Sequence, residues 1–152
     1  MNTIVTYVSF HHHNTEKVAK RIASVLEARL APLSKISKED LLNAGLVGFG
    51  SGVYMSKMHK SVIDFVDSLP AMEGKDAFIF STSGIRKNFL FNKAHSHMKE
   101  KLEKKGFRIV GEFDCRGFDT YGPLRFIGGI NRKRPNEKDL KRAEEFARSL
   151  FK

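Results

Sequence analysis

The apolar positions of this chain alternate between two spacings. Runs of β-branched and aromatic residues predict buried strands, and these runs cover residues 3–8, 46–50, 77–80 and 107–113. A weaker strand is expected near residues 31–36, where Pro32 would make it short or confine it to a sheet edge.

Between these runs, apolar residues recur three and four positions apart, which is the spacing of amphipathic helices. A first helix is predicted from residue 15 to about residue 29, and a second from a cap at Ser56 to Pro70. A third carries apolar residues from 91 to 102 and ends at Gly106, and a last helix begins at about Asn136.

A strand followed by a helix thus occurs about five times, with no repeat, linker or low-complexity segment between them. Right-handed crossovers between parallel strands place helices on both faces of a sheet. The pattern therefore predicts one α/β domain over residues 1–152 with a parallel sheet at its centre. Such sheets bind ligands where their strands end, so we expect functional residues in the loops that follow strands.

The loop after the first predicted strand, residues 9–15, has the side chains of a phosphate site. It leads into a helix N-terminus, where backbone N–H groups favour an anion, and Ser9, Asn14 and Thr15 add hydroxyl and amide donors. The loop lacks the glycine-lysine pattern of ATP-binding loops and the three-glycine pattern of dinucleotide sites. Its three histidines could instead be surface residues or part of a metal site, although a zinc site needs further ligands.

Polar or glycine-rich stretches follow three later strands as well. Residues 50–56 combine small residues, which let a flat ring approach the backbone, with Tyr54, which could stack on that ring. Residues 81–84 and 114–122 follow the last two predicted strands. Each stretch alone could be an ordinary turn, so their order after successive strands is the stronger observation.

Nucleophilic chemistry is not indicated, because no Cys-His or Ser-His-Asp arrangement is evident. Cys115 is the single cysteine and is expected to be a buried structural thiol rather than a reactive one. His59, His95 and His97 are expected to be surface residues on helices.

Together these motifs resemble the flavodoxin family. Its phosphate loop is S/T-x-T-G-x-T, and Ser9 matches its first position while Asn14 and Thr15 match its last two. The loop is one residue longer, and His13 stands where the family has glycine. The string D-L-L-N-A-G-L-V-G-F-G-S-G-V-Y, residues 40–54, is also similar to flavodoxins, and the resemblance covers essentially the whole chain.

The resemblance implies a three-layer α/β/α sandwich with a five-stranded parallel sheet of order 2-1-3-4-5, and one FMN held non-covalently at the carboxyl ends of the strands. The family's four binding loops carry over to the following positions: Ser9, His11, His12, His13, Asn14, Thr15, Ser51, Gly52, Val53, Tyr54, Ser81, Thr82, Ser83, Gly84, Arg116, Gly117 and Asp119. In the family, the loop after the fourth strand bonds the pyrimidine edge of the flavin.

The resemblance implies electron transfer to redox partner proteins as the first functional hypothesis. An FMN-dependent oxidoreductase is the alternative, because residues 50–66 resemble the matching stretch of menaquinone-dependent protoporphyrinogen oxidases, and a quinone or NAD(P)H reductase would also fit. The residues leave open whether the protein is a carrier or an enzyme.

The charge balance favours a partner of opposite sign. The 152 residues include 27 Lys and Arg against 17 Asp and Glu, which gives a net charge of +10. Eight of the basic residues lie between Arg86 and Arg108, which could be a solvated helix face or a nucleic-acid footprint without flavin. For a flavodoxin, the charge predicts acidic docking partners and a less negative second reduction potential than acidic relatives have.

The remaining expectations concern location. A single cysteine suits a reducing compartment, no basic segment precedes an apolar stretch at the N-terminus, and no apolar run reaches the roughly 20 residues of a membrane span. A cytoplasmic protein is therefore expected.

Overall fold

A parallel sheet forms the centre of the molecule. The structure, a computed structural model, describes residues 2–9, 13–54, 57–83, 88–116 and 135–151. Five strands pair in parallel in the order β2-β1-β3-β5-β6, and a sixth, β4, pairs antiparallel with the end of β3. Their bounds are Thr3–Tyr7 (β1), Arg29–Pro32 (β2), Leu46–Tyr54 (β3), Lys57–Met58 (β4), Asp76–Ser83 (β5) and Arg108–Arg116 (β6).

Helices cover both faces of this sheet. They are Asn14–Leu26 (α1), Lys38–Leu42 (α2), Lys60–Asp67 (α3), Asn88–Lys104 (α4) and Glu137–Ser149 (α5), and a 3-10 turn spans Leu33–Lys35. One buried cluster joins the sheet to α1 and α5, and another joins it to α2, α3 and α4. No helix in the described part of the chain is long and apolar enough to cross a membrane.

The predicted three-layer α/β/α sandwich is confirmed, and so is the strand order 2-1-3-4-5 once β4 is left out of the count. β2 is a four-residue edge strand that ends at Pro32, as the proline predicted. It begins earlier than expected because α1 stops at Leu26. Glu27 takes a left-handed conformation (φ 53°), which ends the helix three residues before the predicted boundary.

The predicted helix cap at Ser56 was wrong, although Ser56 itself lies outside the described residues. α3 begins at Lys60, and the cap is His59, whose ring Nδ1 accepts a hydrogen bond from the backbone N–H of Ser61 at 3.0 Å. A neutral imidazole presents one acceptor nitrogen, so it can replace the usual hydroxyl or carboxylate. His59 therefore precedes a helix and does not lie on one.

In three stretches expected to be loops, the described residues 50–54, 81–83 and 114–116 are the ends of long strands. Ser51 and Gly52 of β3 pair with Ser81 and Thr82 of β5, and β6 continues through Cys115 to Arg116. These residues extend the ladder because each has a neighbouring strand to satisfy its backbone groups. The polar side chains therefore stand on rigid strand ends.

β6 contains a bulge next to β5. Ala77 lies opposite Ile109, but the following residue, Phe78, lies opposite Gly111, so Val110 is an extra residue in β6. Because side chains alternate between the faces of a strand, one extra residue reverses the face of every later side chain.

The bulge decides which residues of β6 meet which layer. After it, Glu112 reaches His95 of α4, while Phe113 and Cys115 join the cluster under α1 and α5. Cys115 is buried, as predicted.

Candidate functional site

The candidate site lies where β1, β3 and β5 end, because these three strands are neighbours in register. Tyr7 is opposite Gly50, and Gly50 is opposite Phe80. Beyond the last paired residue of β1, the N–H of Val8 still bonds the carbonyl of Gly50 at 2.9 Å. The predicted residues that follow these strands therefore share one edge of the sheet.

The start of α1 forms the first side of the site. His13 is its N-cap, in a left-handed conformation with φ 54°, and no side chain caps the helix from that position. Instead, Ser9 Oγ accepts a hydrogen bond from the N–H of Glu16 at 3.3 Å. This bond fixes the Ser9 side chain over the first turn and leaves its own O–H as a donor.

A buried hydrogen bond connects this helix to the strand ends. Thr15 Oγ1 lies 2.9 Å from Thr82 Oγ1, and both side chains are buried. The residues are 67 positions apart, so the bond links the first predicted loop directly to the third. It brings together residues that sequence reasoning had assigned to one site on chain order alone.

An acidic side chain also lies beside the start of α1. Glu16 accepts a hydrogen bond from the Tyr7 hydroxyl at 3.1 Å, and its carboxylate lies 3.3 Å from His13 Nδ1. Burial, and then the bond to Glu16, raises the pKa of Tyr7, so this phenol keeps its proton for the carboxylate. The Glu16 carboxylate is therefore contacted by two groups of the protein itself, the Tyr7 hydroxyl and the His13 ring.

On β3, Ser51 uses its hydroxyl within the protein. Its Oγ donates to the Gly52 carbonyl at 2.7 Å and accepts from the His59 N–H at 3.0 Å. Ser51 therefore ties the start of α3 to the strand end, and both bonds of its hydroxyl are made within the protein. The sequence suggested that Gly50 is small so that a flat ligand ring can approach the backbone. The structure gives another reason, because a Cβ on Gly50 would overlap the ring of Phe80.

On β5, Ser81 points away from Thr82 and toward α4, as alternation along a strand requires. Its Oγ lies 2.6 Å from His95 Nε2, and both residues are buried, at 0% and 5% exposure. The expectation that His95 is a surface residue was wrong. His97 is partly buried, and the apolar pattern of α4 omits His95 because that pattern counts only apolar residues.

The other predicted residues are placed as follows. Val53 pairs with Met58 of β4 and packs partly buried against the α3 and α4 cluster. Tyr54, Ser83 and Arg116 are the last residues of β3, β5 and β6. Outside the described residues lie His11, His12, Gly84, Gly117 and Asp119.

The basic cluster between residues 86 and 108 is largely matched by acids where the structure describes it. Lys99 bonds Glu112 at 3.1 Å, Lys101 bonds Asp67 at 2.8 Å, and Arg108 makes two bonds to Asp76. Exposed ion pairs contribute little stability, but they orient these cations toward carboxylates rather than toward a phosphate backbone. The pairing favours a solvated face over a nucleic-acid footprint.

Comparison with known proteins gives two kinds of match. Residues 4–120 match the family model of the flavodoxin domain. The uncharacterized protein MJ0298 of Methanocaldococcus jannaschii is 46% identical over 152 residues, which is 100% of this chain and 99% of that protein.

Solved structures share the fold at much lower identity. Flavodoxin 2 from Bacillus cereus superposes with a TM-score of 0.76 at 19% identity, covering 99% of this chain and 98% of its own. The Streptococcus pneumoniae TIGR4 flavodoxin gives 0.74 at 19% identity, with coverage of 99% and 98%. A flavodoxin from the domain Archaea gives 0.71 at 20% identity, with coverage of 99% and 96%.

Proposed function

The chain belongs to the flavodoxin family, and from this premise we propose that it binds FMN non-covalently and transfers electrons between protein partners. The observation that carries the proposal is the buried Thr15–Thr82 hydrogen bond. It holds the donor-bearing start of α1 against the end of β5, where an FMN phosphate and an FMN ring would lie side by side.

The donors at the start of α1 suit a phosphate monoester. The N-terminus of a 13-residue helix provides N–H groups and a partial positive charge, and Ser9 Oγ is held beside it. Asn14 and His13 add side chains that can donate. A phosphate needs several donors in one place, and no lysine of an ATP-type loop is required for that.

The strand ends suit a flat ring. The backbone of Gly52 stands where β3 leaves its pairing with β5, and Thr82 and Ser83 end the neighbouring strand. The isoalloxazine ring, when bound, supplies the redox chemistry, and the protein positions it. The Ser51 and Ser81 hydroxyls bond within the protein, so these two side chains are directed away from the ring.

The partner we propose is an acidic redox protein. A net charge of +10 attracts a negatively charged docking face at long range and raises the rate of encounter at low salt.

A pair of titrations tests FMN binding and the role of the phosphate. The purified protein is titrated with FMN and, separately, with riboflavin, while flavin fluorescence is followed. FMN should bind saturably and more than about tenfold more tightly than riboflavin, because charge-assisted hydrogen bonds to the phosphate are lost without it.

Two serine variants locate the phosphate on the protein. Ser9→Ala should weaken FMN binding by about tenfold and leave riboflavin binding unchanged, since one hydrogen bond to a charged group is lost. Ser149→Ala is the matched control, because Ser149 lies at the far end of α5 and bonds only the Phe146 carbonyl among the described residues. If the protein changes the fluorescence of neither FMN nor riboflavin, the proposal is removed.

A further inference from the structure

His95 is the centre of a polar chain that the proposed function does not use. Its Nε2 lies 2.6 Å from Ser81 Oγ on β5, and its Nδ1 lies 3.1 Å from Glu112 Oε1 on β6. Lys99 Nζ in turn bonds Glu112 Oε2 at 3.1 Å. The chain therefore runs from the partly exposed Glu112, through a buried imidazole, to the end of β5.

The partners of His95 determine where its proton lies. Glu112, paired with Lys99, is an acceptor, so Nδ1 must carry a hydrogen and donate to it. In the neutral ring, Nε2 is then the acceptor, and the Ser81 hydroxyl donates to it. If the ring is protonated, Nε2 becomes a donor, and Ser81 must direct its own hydrogen to a different acceptor.

The arrangement has the order of a serine-histidine-acid triad, but its serine cannot act as a nucleophile. Ser81 is 0% exposed, so no substrate can reach its Oγ. The remaining role belongs to the His95 imidazole, which can bind or release a proton inside the protein.

Opposing influences act on the charge of this ring. Burial has the largest effect and lowers the pKa of His95. The Glu112 carboxylate raises that pKa through its charge and its hydrogen bond, and the charge of Asp114 raises it as well. The charge of Lys99 lowers it. Ser81 is the uncharged contact on β5. A buried histidine with a carboxylate partner can accept a proton at moderate cost, because the partner stabilises the cation.

We propose that His95 is a charge-balancing residue of the redox site: when reduction adds negative charge at the end of β5, His95 takes up one proton from solvent, so that Nε2 carries hydrogen as Nδ1 does. The inference rests on the proposed function, since the added charge is that of a reduced flavin. Its geometric basis is the Ser81 contact, because Ser81 adjoins Thr82, the residue that bonds the start of α1. Protonation would reverse the Ser81 hydrogen bond and place a positive charge beside this strand end.

The first experiment follows the ring itself in the wild-type protein loaded with FMN. Nitrogen-15 NMR of labelled histidine reports protonation of Nε2 in the oxidised and in the chemically reduced protein as pH is varied across roughly 5 to 8. We expect His95 to bind its proton about tenfold more tightly in the reduced protein, as a nearby opposite charge requires.

The second experiment uses variants. The midpoint potential is measured against pH for wild type, His95→Asn and His97→Asn, with FMN affinity measured alongside. Beyond the pH dependence of the flavin itself, the wild type should show an additional component that His95→Asn loses and His97→Asn keeps, because His97 lies on the same helix but faces another direction. Glu112→Gln should weaken proton binding by His95 in the NMR titration.

The outcomes separate this inference from the function beneath it. If FMN binds and the protonation of His95 is the same in both redox states, the inference is overturned and the function stands. If FMN does not bind, the proposed function fails first, and this inference falls with it.

Discussion

His13, at the position where the resemblance places a glycine, takes a left-handed backbone conformation. Its φ of 54° lies in the left-handed region, where a side chain with a Cβ is disfavoured. Histidine tolerates this region better than a β-branched residue, and its ring gains a contact with Glu16 at 3.3 Å. Histidine thus takes, at this one position, a backbone conformation that glycine adopts without strain.

Replacing this histidine tests the backbone requirement. His13→Val should lower the free energy of unfolding by about 1 kcal/mol, because a β-branched side chain strains a left-handed residue. His13→Asn should leave it nearly unchanged, since asparagine enters this region readily. Urea denaturation of both variants measures the difference, and equal stability would show that the position does not demand positive φ.

His95 shows what a sequence can and cannot reveal about single residues. It lies three positions before Met98 and seven before Leu102, so helical spacing alone would have placed it on the buried stripe of α4. Its carboxylate partner could not have been found in this way. Glu112 faces α4 only because of the bulge at Val110. Gly111 beside it is the one sequence signal, since a glycine inside a strand suggests a bulge without fixing its register.

At the scale of elements, glycines on β3 face phenylalanines on β5. An ideal Cβ on Gly48 or Gly50 would overlap the ring of Phe78 or Phe80. The two strands are central in the sheet, and their cross-strand pairs fill the layer under α1 and α5. The apolar runs were sufficient to predict both strands, but not that the glycines of β3 leave room for the phenylalanine rings of β5.

The contact between Gly50 and the Phe80 ring predicts that one substitution can compensate for another. Gly50→Ala should destabilise the protein by about 3 kcal/mol, because the Phe80 ring has to move in a close-packed layer. Adding Phe80→Leu should recover part of that loss, so the effects of the two substitutions should not add. Chemical denaturation of both single variants and the double variant completes the cycle, and simple additivity would rule out direct contact.

Short elements escaped prediction for a physical reason. β4 has two residues and α2 has five, too few for either periodicity to repeat. The Ser37 and Asp40 capping box was nevertheless visible in the sequence three residues apart, and it marks the start of α2.

For the whole molecule, alternating strands and helices determined the fold, because few topologies satisfy parallel pairing with right-handed crossovers. Chain order also brought the first and third loops to one edge, where the Thr15–Thr82 bond joins them. The directions of the hydroxyls at Ser51 and Ser81 could not be predicted, since they depend on partners in distant elements.

The net charge of +10 predicts a salt dependence of the bound flavin's potential. A positive molecule stabilises added negative charge, and this makes the midpoint potential less negative at low salt. Raising the salt from about 0.01 M to about 1 M shortens the screening length from about 30 Å to about 3 Å, so the potential should become more negative. Potentiometry with unbound FMN in the same solutions as reference checks this, and the opposite trend would contradict it.

The bulge in β6 also limits how this protein can be re-engineered or can diverge. Side-chain direction along β6 behaves like a reading frame that Val110 shifts by one position. Deleting a single residue between the bulge and Glu112 would exchange the acidic and apolar positions of the whole strand end. Insertions or deletions within β6 therefore keep each side chain on its present face only when two residues are added or removed together. A single insertion or deletion keeps these faces only beyond Arg116, where β6 ends.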